Sequence, residues 1–347
     1  MKKQEFLSEL QKSLANAPEE VRDEIISDIS EHFSIGALQG LSEEDICVKL
    51  GQPSNIAEQV LEYTVEIPQK PKKNSDKARG THDIFINKSF SGVNKVNVNL
   101  MNAEIRFVPS SDDSFNVTIK GRSRYEISLD NNNGLLSVRS NETFSFIFGL
   151  FNFWNKLEAE ISVPTHFQGK IKANSTAGNV FSEGISGTLN FSSMAGNVTV
   201  VRHKGDKLTL NSAAGNIKAE LLNERVDTVT ISTAAGNAKI TAKETGALKM
   251  STAAGNVKAT VEKIGGTTQL SSSAGDVKLT ASEVAGNIDI STAAGSATVY
   301  LPKHVNCHIK SKKPSVGSLH NELIGNPQSP YSLKTSTSVG SVHLYAI

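Results

Sequence analysis

The segment Ser251-Thr252-Ala253-Ala254-Gly255-Asn256-Val257-Lys258-Ala259-Thr260 returns as Ser271-Ser272-Ser273-Ala274-Gly275-Asp276-Val277-Lys278-Leu279-Thr280. It returns once more as Ser291-Thr292-Ala293-Ala294-Gly295-Ser296-Ala297-Thr298-Val299-Tyr300. Working outward, Gly178, Gly196, Gly215, Gly236, Gly255, Gly275 and Gly295 each follow an alanine, and most precede an asparagine, at spacings of 18, 19, 21, 19, 20 and 20 residues. A unit of that length cannot bury its own apolar face. Successive units must therefore stack, which is the signature of a solenoid.

Alignment on the glycines assigns directions to the side chains. Five residues before them stand Ala173, Phe191, Leu210, Ile231, Met250, Leu270 and Ile290; three before, always serine or threonine; one before, always alanine. These positions share one parity and are expected on one inward face of a strand. Two and four residues after each glycine the apolar pattern resumes, as at Val257 and Ala259. The parity slips by one across the glycine, so the glycine marks a corner, and a residue free to adopt φ > 0 suits it.

Stacked corners would align Asn179, Asn197, Asn216, Asn237 and Asn256 about 4.8 Å apart, close enough for amide hydrogen bonds along the axis, with Asp276 and Ser296 interrupting the ladder. The inward Ser/Thr column can bond within itself or to backbone. A second corner is expected at Gly246-Ala247, Gly265-Gly266 and Gly286-Asn287. Degenerate turns are expected at both ends, at Val96 to Phe107 and around Ser315-Val316-Gly317-Ser318-Leu319 and Ser338-Val339-Gly340-Ser341-Val342. The pattern predicts a right-handed parallel β-helix with two or three short strands per coil; an antiparallel meander is its competitor.

Outside this body the chain changes character. Residues 1–64 hold 5 Lys/Arg against 13 Asp/Glu, residues 65–80 hold 5 against 2, and residues 81–347 hold 26 against 20. The acidic head repels phosphates, which argues against nucleic acid as its partner. Phe6, Leu7, Leu10 and Leu14, then Val21, Ile25, Ile29 and Phe33, recur at helical spacing. Ser42-Glu43-Glu44-Asp45 opens a further helix with Ile46 and Leu50 inward and Gly51 as its stop, and Pro53-Ser54-Asn55 opens another carrying Ile56 and Ala57. The fold class expected is α + all-β: a three- or four-helix domain (1–64), a Pro/Lys linker (65–80), and the β-helix (81–347).

The head's Lys3-Gln4-Glu5-Phe6-Leu7, Pro18-Glu19-Glu20, Glu31-His32-Phe33, Gly40-Leu41-Ser42-Glu43-Glu44 and Leu50-Gly51-Gln52-Pro53-Ser54-Asn55-Ile56-Ala57 resemble the HAAS-type signalling domain of bacteria, over residues 1 to about 63. That resemblance implies a protein-interaction role without catalysis, in a family that accompanies membrane segments, adhesin-like β domains and PadR-type regulators. The Ala-Gly-Asn corners resemble the bacterial adhesin-like β-strand-repeat family over about residues 81–347. Some members of that family belong to envelope-stress responses, and the likeness implies a binding or scaffolding surface with no catalytic residues.

Two candidate binding features stand out. Lys218, Lys239, Lys258 and Lys278 each lie three residues after a corner glycine, on the outward parity, so stacking would set four ammonium groups in a column. Neighbours about 5 Å apart in water repel by roughly 0.8 kcal/mol before screening, which marks the column as tolerable rather than stabilising. It suits phospholipid headgroups or an anionic wall polymer, or simply a solvated face that discourages lateral pairing. The aromatic run at 144–154, with Phe146, Phe148, Phe151, Phe153 and Trp154, suits either a cap on the solenoid or contact with a membrane or partner.

Catalytic and metal chemistry find little support. Cys47 and Cys307 are the only cysteines. His304 and His308 flank Cys307, but four residues of strand separate them by roughly 13 Å, too far to share an ion. Asp206, Asp227, Asp276 and Asp289 fall on different coil positions, whereas a polysaccharide lyase needs convergent carboxylates or a base beside calcium. The expectation is a non-enzymatic binding or scaffold protein of envelope-associated signalling, with no cofactor and no metal. It is expected to be cytoplasmic by default or peripheral at the membrane or envelope, since no signal peptide or membrane-length apolar run is seen. A carbohydrate-binding or lyase-like β-helix and a cytoplasmic adaptor of a PadR-type regulator are the alternatives.

Overall fold

The computed structural model describes residues 1–19, 22–23, 25–26, 29–30, 33, 42–58, 82–123, 125–140 and 157–347. The chain divides into two compact units: one holds the described helical residues, the other comprises Thr81–Thr143 and Asn155–Ile347.

In the helical unit, α1 (Lys3–Ser13) and α2 (Glu43–Leu50) form as the apolar spacing dictates. Phe6, Leu10 and Leu14 are fully buried against Ile25, Ile29 and Phe33, with the Phe6 and Phe33 rings edge to face at 5.8 Å. The Ser42 hydroxyl accepts from the Asp45 N–H at 3.1 Å, and Gly51 ends α2 at φ +78°, a conformation that a side chain would strain. Ile46, Leu50, Ile56 and Ala57 complete this small core.

The second unit is a parallel β-solenoid of about nine turns, which excludes the meander. Each turn contributes one strand before the corner glycine and one after it. Before the corners, Lys170–Ser175, Thr188–Ser193 and Lys207–Ala214 pair in parallel, and Thr268–Ala274 and Ile288–Ala294 continue the sheet. After the corners, Val180–Glu183, Val198–Val201, the start of Ile217–Ala235, the start of Ala238–Ala254, Val257–Ile264, Val277–Val284 and Ala297–Leu301 pair likewise. Between the two sheets lies one continuous apolar core, including Phe191, Leu210, Ile231, Met250, Leu270 and Ile290 on one side and Val257, Ala259, Val277 and Leu279 on the other.

The Ser/Thr column is buried, and each hydroxyl bonds the backbone of the preceding turn. Ser193 donates to Gly178 at 2.9 Å, Thr233 to Gly215 at 3.0 Å, Thr252 to Gly236 at 3.0 Å and Thr292 to Gly275 at 2.8 Å. The alanines do not share that inward face: Ala195, Ala214, Ala235, Ala254, Ala274 and Ala294 are exposed. The chain begins to turn directly after the hydroxyl residue, so the two positions ahead of the glycine both face solvent. The parity breaks there as well as at the glycine.

Close approach, more than positive φ, requires the glycines. A Cβ on Gly255 would lie 2.1 Å from the Gly236 carbonyl oxygen, and one on Gly236 would lie 2.2 Å from that of Gly215. Gly255, Gly275 and Gly295 do sit near φ +146°, but Gly178, Gly196, Gly215 and Gly236 are not among the positive-φ glycines. The second corner has its own glycine column, in which a Cβ on Gly286 would lie 1.9 Å from the Gly266 carbonyl oxygen.

The asparagine ladder runs along the axis, with one amide–amide bond of the expected kind, Asn237 Nδ2 to Asn216 Oδ1 at 3.1 Å, and otherwise with backbone donors. Each side-chain carbonyl accepts the backbone N–H of the next turn, as in Asn237 N–H to Asn216 Oδ1 and Asn256 N–H to Asn237 Oδ1, both at 2.9 Å. A carboxylate offers the same acceptor, so Asp276 continues the ladder: its N–H donates to Asn256 and its Oδ1 accepts from Ser296, both at 2.8 Å.

Both ends are stacked out of sequence order. Lys95–Leu100 lies between Leu135–Ser140 and Lys170–Ser175, and Ala103–Ser110 lies between Leu157–Pro164 and Val180–Glu183. Likewise Ser332–Val339 inserts between Ile288–Ala294 and His308–Ser311, and Val342–Ala346 between Ala297–Leu301 and Leu319–Asn321. Antiparallel strands finish the first end: Phe115–Ser123 on Leu157–Pro164, His82–Phe90 on Phe115–Ser123, and Ile127–Asn132 on Leu135–Ser140. An antiparallel finish offers a poor template to a parallel edge.

Candidate functional site

The strands that follow the corner glycines present the site. Their inward residues lock the register, and the alternate positions must point outward. Lys218, Lys239, Lys258 and Lys278 are directly opposite one another on successive strands, so the sequence-derived column exists. Lys218 is paired with Glu220 at 2.6 Å, and the Lys278 ammonium lies 4.4 Å from the centre of the Tyr300 ring, a cation–π contact. Among the described residues, no carboxylate lies within ion-pair distance of Lys239 or Lys258. Some other cations of the body are matched: Arg202 pairs with Glu183, Arg225 with Asp227 and Glu244, and Lys263 with Glu283.

Beside the lysines, two residues further on, runs a hydroxyl column of Thr241, Thr260 and Thr280, also in register. The pattern then changes toward the last turns. Lys278 is opposite Thr298, Thr298 opposite His343, and His343 opposite His320, while Thr280 is opposite Tyr300 and Tyr300 opposite Tyr345. The Tyr300 and Tyr345 rings stack at 5.2 Å, His343 stacks on Tyr345 at 5.7 Å, and His320 lies 5.6 Å from Tyr345. His320 is hydrogen-bonded to Glu322 at 2.9 Å. That bond, with the Ala346 N–H, holds the Glu322 carboxyl below its ordinary range.

This aromatic and imidazole extension was missed by the sequence reading. The signal was available: His343 and His320 stand three residues after Gly340 and Gly317, the offset that selected the lysines. On the opposite sheet a shallow trough of about 960 Å³ is lined by small side chains such as Ser232, Ser251, Ser271, Ala253 and Ala293, with Ser251 donating to Ser232 at 3.3 Å.

The remaining candidates that are described fall apart from this face. Phe146, Phe148, Phe151, Phe153 and Trp154 lie outside the described residues, as does the proposed linker. His304 and His308 are exposed while Cys307 is fully buried, and burial pushes the Cys307 thiol up to about 11. Asp227 and Asp276 are engaged separately, by Arg225 and by the Ser296 N–H. Among the described residues no group of three or more His, Cys, Asp or Glu side chains could hold a metal ion, and no helix is long and apolar enough to cross a membrane.

Two family models match the chain: Toastrack DUF4097 over residues 93–337 and HAAS over residues 5–59. Both expected resemblances are thereby met. Among solved structures, a protein from Clostridium sporogenes ATCC 15579 provisionally described as a cell adhesion protein is 12% identical, with a TM-score of 0.30 over 76% of this chain and 99% of its own. One from Parabacteroides distasonis ATCC 8503, provisionally described as lipid binding, is 15% identical, with a TM-score of 0.45 over 75% and 96%. A third, from Bacteroides fragilis NCTC 9343 and provisionally described as an adhesin, is 16% identical, with a TM-score of 0.36 over 76% and 97%. No curated protein matches the chain.

Proposed function

The chain belongs to the Toastrack DUF4097 family, and from that premise we propose that it is a non-enzymatic binding scaffold of bacterial envelope-associated signalling. The solenoid offers its lysine face to an anionic surface or polymer, and the helical head docks a protein partner. One observation carries the reading. Lys239, Lys258 and Lys278 stand directly opposite one another on three successive strands, and among the described residues no carboxylate pairs with Lys239 or Lys258. Unmatched like charges held at strand spacing are a cost to the fold that an anionic ligand would relieve.

The head's part rests on its match to the HAAS model and on its acidic composition, which favours a basic protein surface over nucleic acid. The division at 1–64, 65–80 and 81–347 belongs to this proposal, and so does a place at the membrane or envelope, inside or outside.

Co-sedimentation of the full chain with phosphatidylglycerol vesicles and with anionic polymer tests the surface. Binding should fall as salt rises and be lost when Lys218, Lys239, Lys258 and Lys278 are all replaced by glutamine. Unchanged binding of that variant would assign the lysines to a solvated face. Cell fractionation with capture on the head then identifies the compartment and the partner.

A further inference from the structure

The charge pattern of the lysine face sets what its ligand must look like. Lys239, Lys258 and Lys278 are the cations of the column that no carboxylate pairs among the described residues, and a carboxylate stands at each end of it, Glu220 on Lys218 at one end and Glu322 on His320 at the other. A uniformly charged polyanion would meet Glu322 as it extended past Lys278. A ligand with anions at one end and neutral hydroxyl-bearing rings at the other would not.

Beyond Lys278 the face offers what a neutral sugar uses. Tyr300 and Tyr345 are half-buried stacked rings; the Lys278 ammonium lies over Tyr300, and the ring surface of the pair that stays exposed attracts the weakly positive C–H edges of a pyranose. His343, His320 and Glu322 supply hydrogen-bonding groups beside them. Thr241, Thr260 and Thr280 place hydroxyls alongside the lysines. From Lys239 to Tyr345 the face spans four strand spacings, about 19 Å, which accommodates a few sugar residues along the axis. Of the large exposed apolar side chains of the body, Phe85, Met194, Val316, Ile324 and Val339 belong to neither outward column, and Leu319 and Ile347 adjoin only the far end, next to His320 and two residues past Tyr345, so none of them stands in the lysine column as an anchor for a lipid interior.

We propose that the ligand is an acidic polysaccharide, its carboxylates on Lys239, Lys258 and Lys278 and a neutral ring on the Tyr300–Tyr345 stack. This rests on the reading of the lysine column as an anion site, and the test separates the two. Full-length protein is titrated with partly methyl-esterified polygalacturonate, an acidic sugar polymer that carries both carboxylate-bearing and neutral rings, with inorganic polyphosphate as a polyanion without rings, and with phosphatidylglycerol vesicles as the lipid surface.

The combined variant Lys239→Gln, Lys258→Gln, Lys278→Gln should weaken binding of polygalacturonate and polyphosphate alike, by roughly tenfold or more. Tyr300→Ala with Tyr345→Ala should weaken polygalacturonate by about tenfold while leaving polyphosphate within about twofold. Tyr300→Phe with Tyr345→Phe keeps the rings and should keep sugar binding, with circular dichroism confirming the β signal. The polysaccharide assignment is overturned if the alanine pair weakens both polymers equally, if the phenylalanine pair loses as much as the alanine pair, or if vesicles or polyphosphate bind more tightly than polygalacturonate. Lysine variants that leave every probe unchanged would overturn the anion site itself.

Discussion

The Thr252 hydroxyl donates to the Gly236 carbonyl at 3.0 Å, across 16 residues of sequence and one turn of the solenoid. The same bond recurs from Ser212 to Gly196, Ser272 to Gly255 and Thr337 to Gly295. It explains how a buried polar column sits beside an apolar core: the corner carbonyl and the hydroxyl satisfy one another where water does not reach.

Thr252→Val keeps the shape and removes the donor, leaving the Gly236 carbonyl unmatched. Loss of about 1–3 kcal/mol is expected, read as a lower urea midpoint, and Thr252→Ser should restore most of it. A valine variant as stable as the parent would remove this bond from the account of the corner.

Gly255→Ala meets the Gly236 carbonyl at 2.1 Å, and its nearest contacts are all backbone of the Gly236–Asn237 corner, which leaves no flexible side chain to yield. The variant should lose more than about 3 kcal/mol or fail to accumulate. Gly92→Ala is the control, with a positive φ of +67° but nothing within 4 Å, so it should lose only about 1 kcal/mol. Thermal melts of the pair compare crowding with conformation directly.

Asn256→Asp preserves the acceptor for the Asp276 N–H, since the natural carboxylate at 276 already performs that task for Ser296. Asn256→Leu removes it. Amide exchange at residue 276 should quicken in the leucine variant and stay close to the parent in the aspartate variant.

Two titrations have opposite signs. The hydrogen bond from His320, then the Ala346 N–H, lowers the Glu322 carboxyl; its contribution is present above the unfolded pKa and fades as pH falls through the lowered folded value. Glu322→Gln should therefore flatten the acid limb of a melting-temperature profile. Burial raises Cys307 from 9.0 to about 11, so its contribution is full below pH 9 and is lost as pH climbs toward about 11. Alkylation of Cys307 in that window should report opening of the last turns, and should be slow at neutral pH.

Much of this was legible in the residues. The glycine spacing gave the turn, Val257 and Ala259 gave the inward face, and the offset of Lys258 from Gly255 placed it beside Lys239. The exposure of Ala254 was not legible, because it depends on a bend drawn by the Thr252 bond to another turn. Nor was the meeting of Tyr300 with Tyr345: echoes of the corner after residue 300 identify turns without saying which turn stacks on which. Side-chain chemistry is local and periodic, whereas neighbour choice at the ends is a property of the whole stack.

That neighbour choice limits how such a molecule can change length. Because Ser332–Val339 and Val342–Ala346 are each clasped between two strands that precede them in the chain, and Lys95–Leu100 and Ala103–Ser110 each between two strands that follow them, neither tip is a growing point. Duplicated repeats can be accommodated only in the middle, so the face could be lengthened there while both clasps stay as they are, like a chain extended by adding links away from its fasteners.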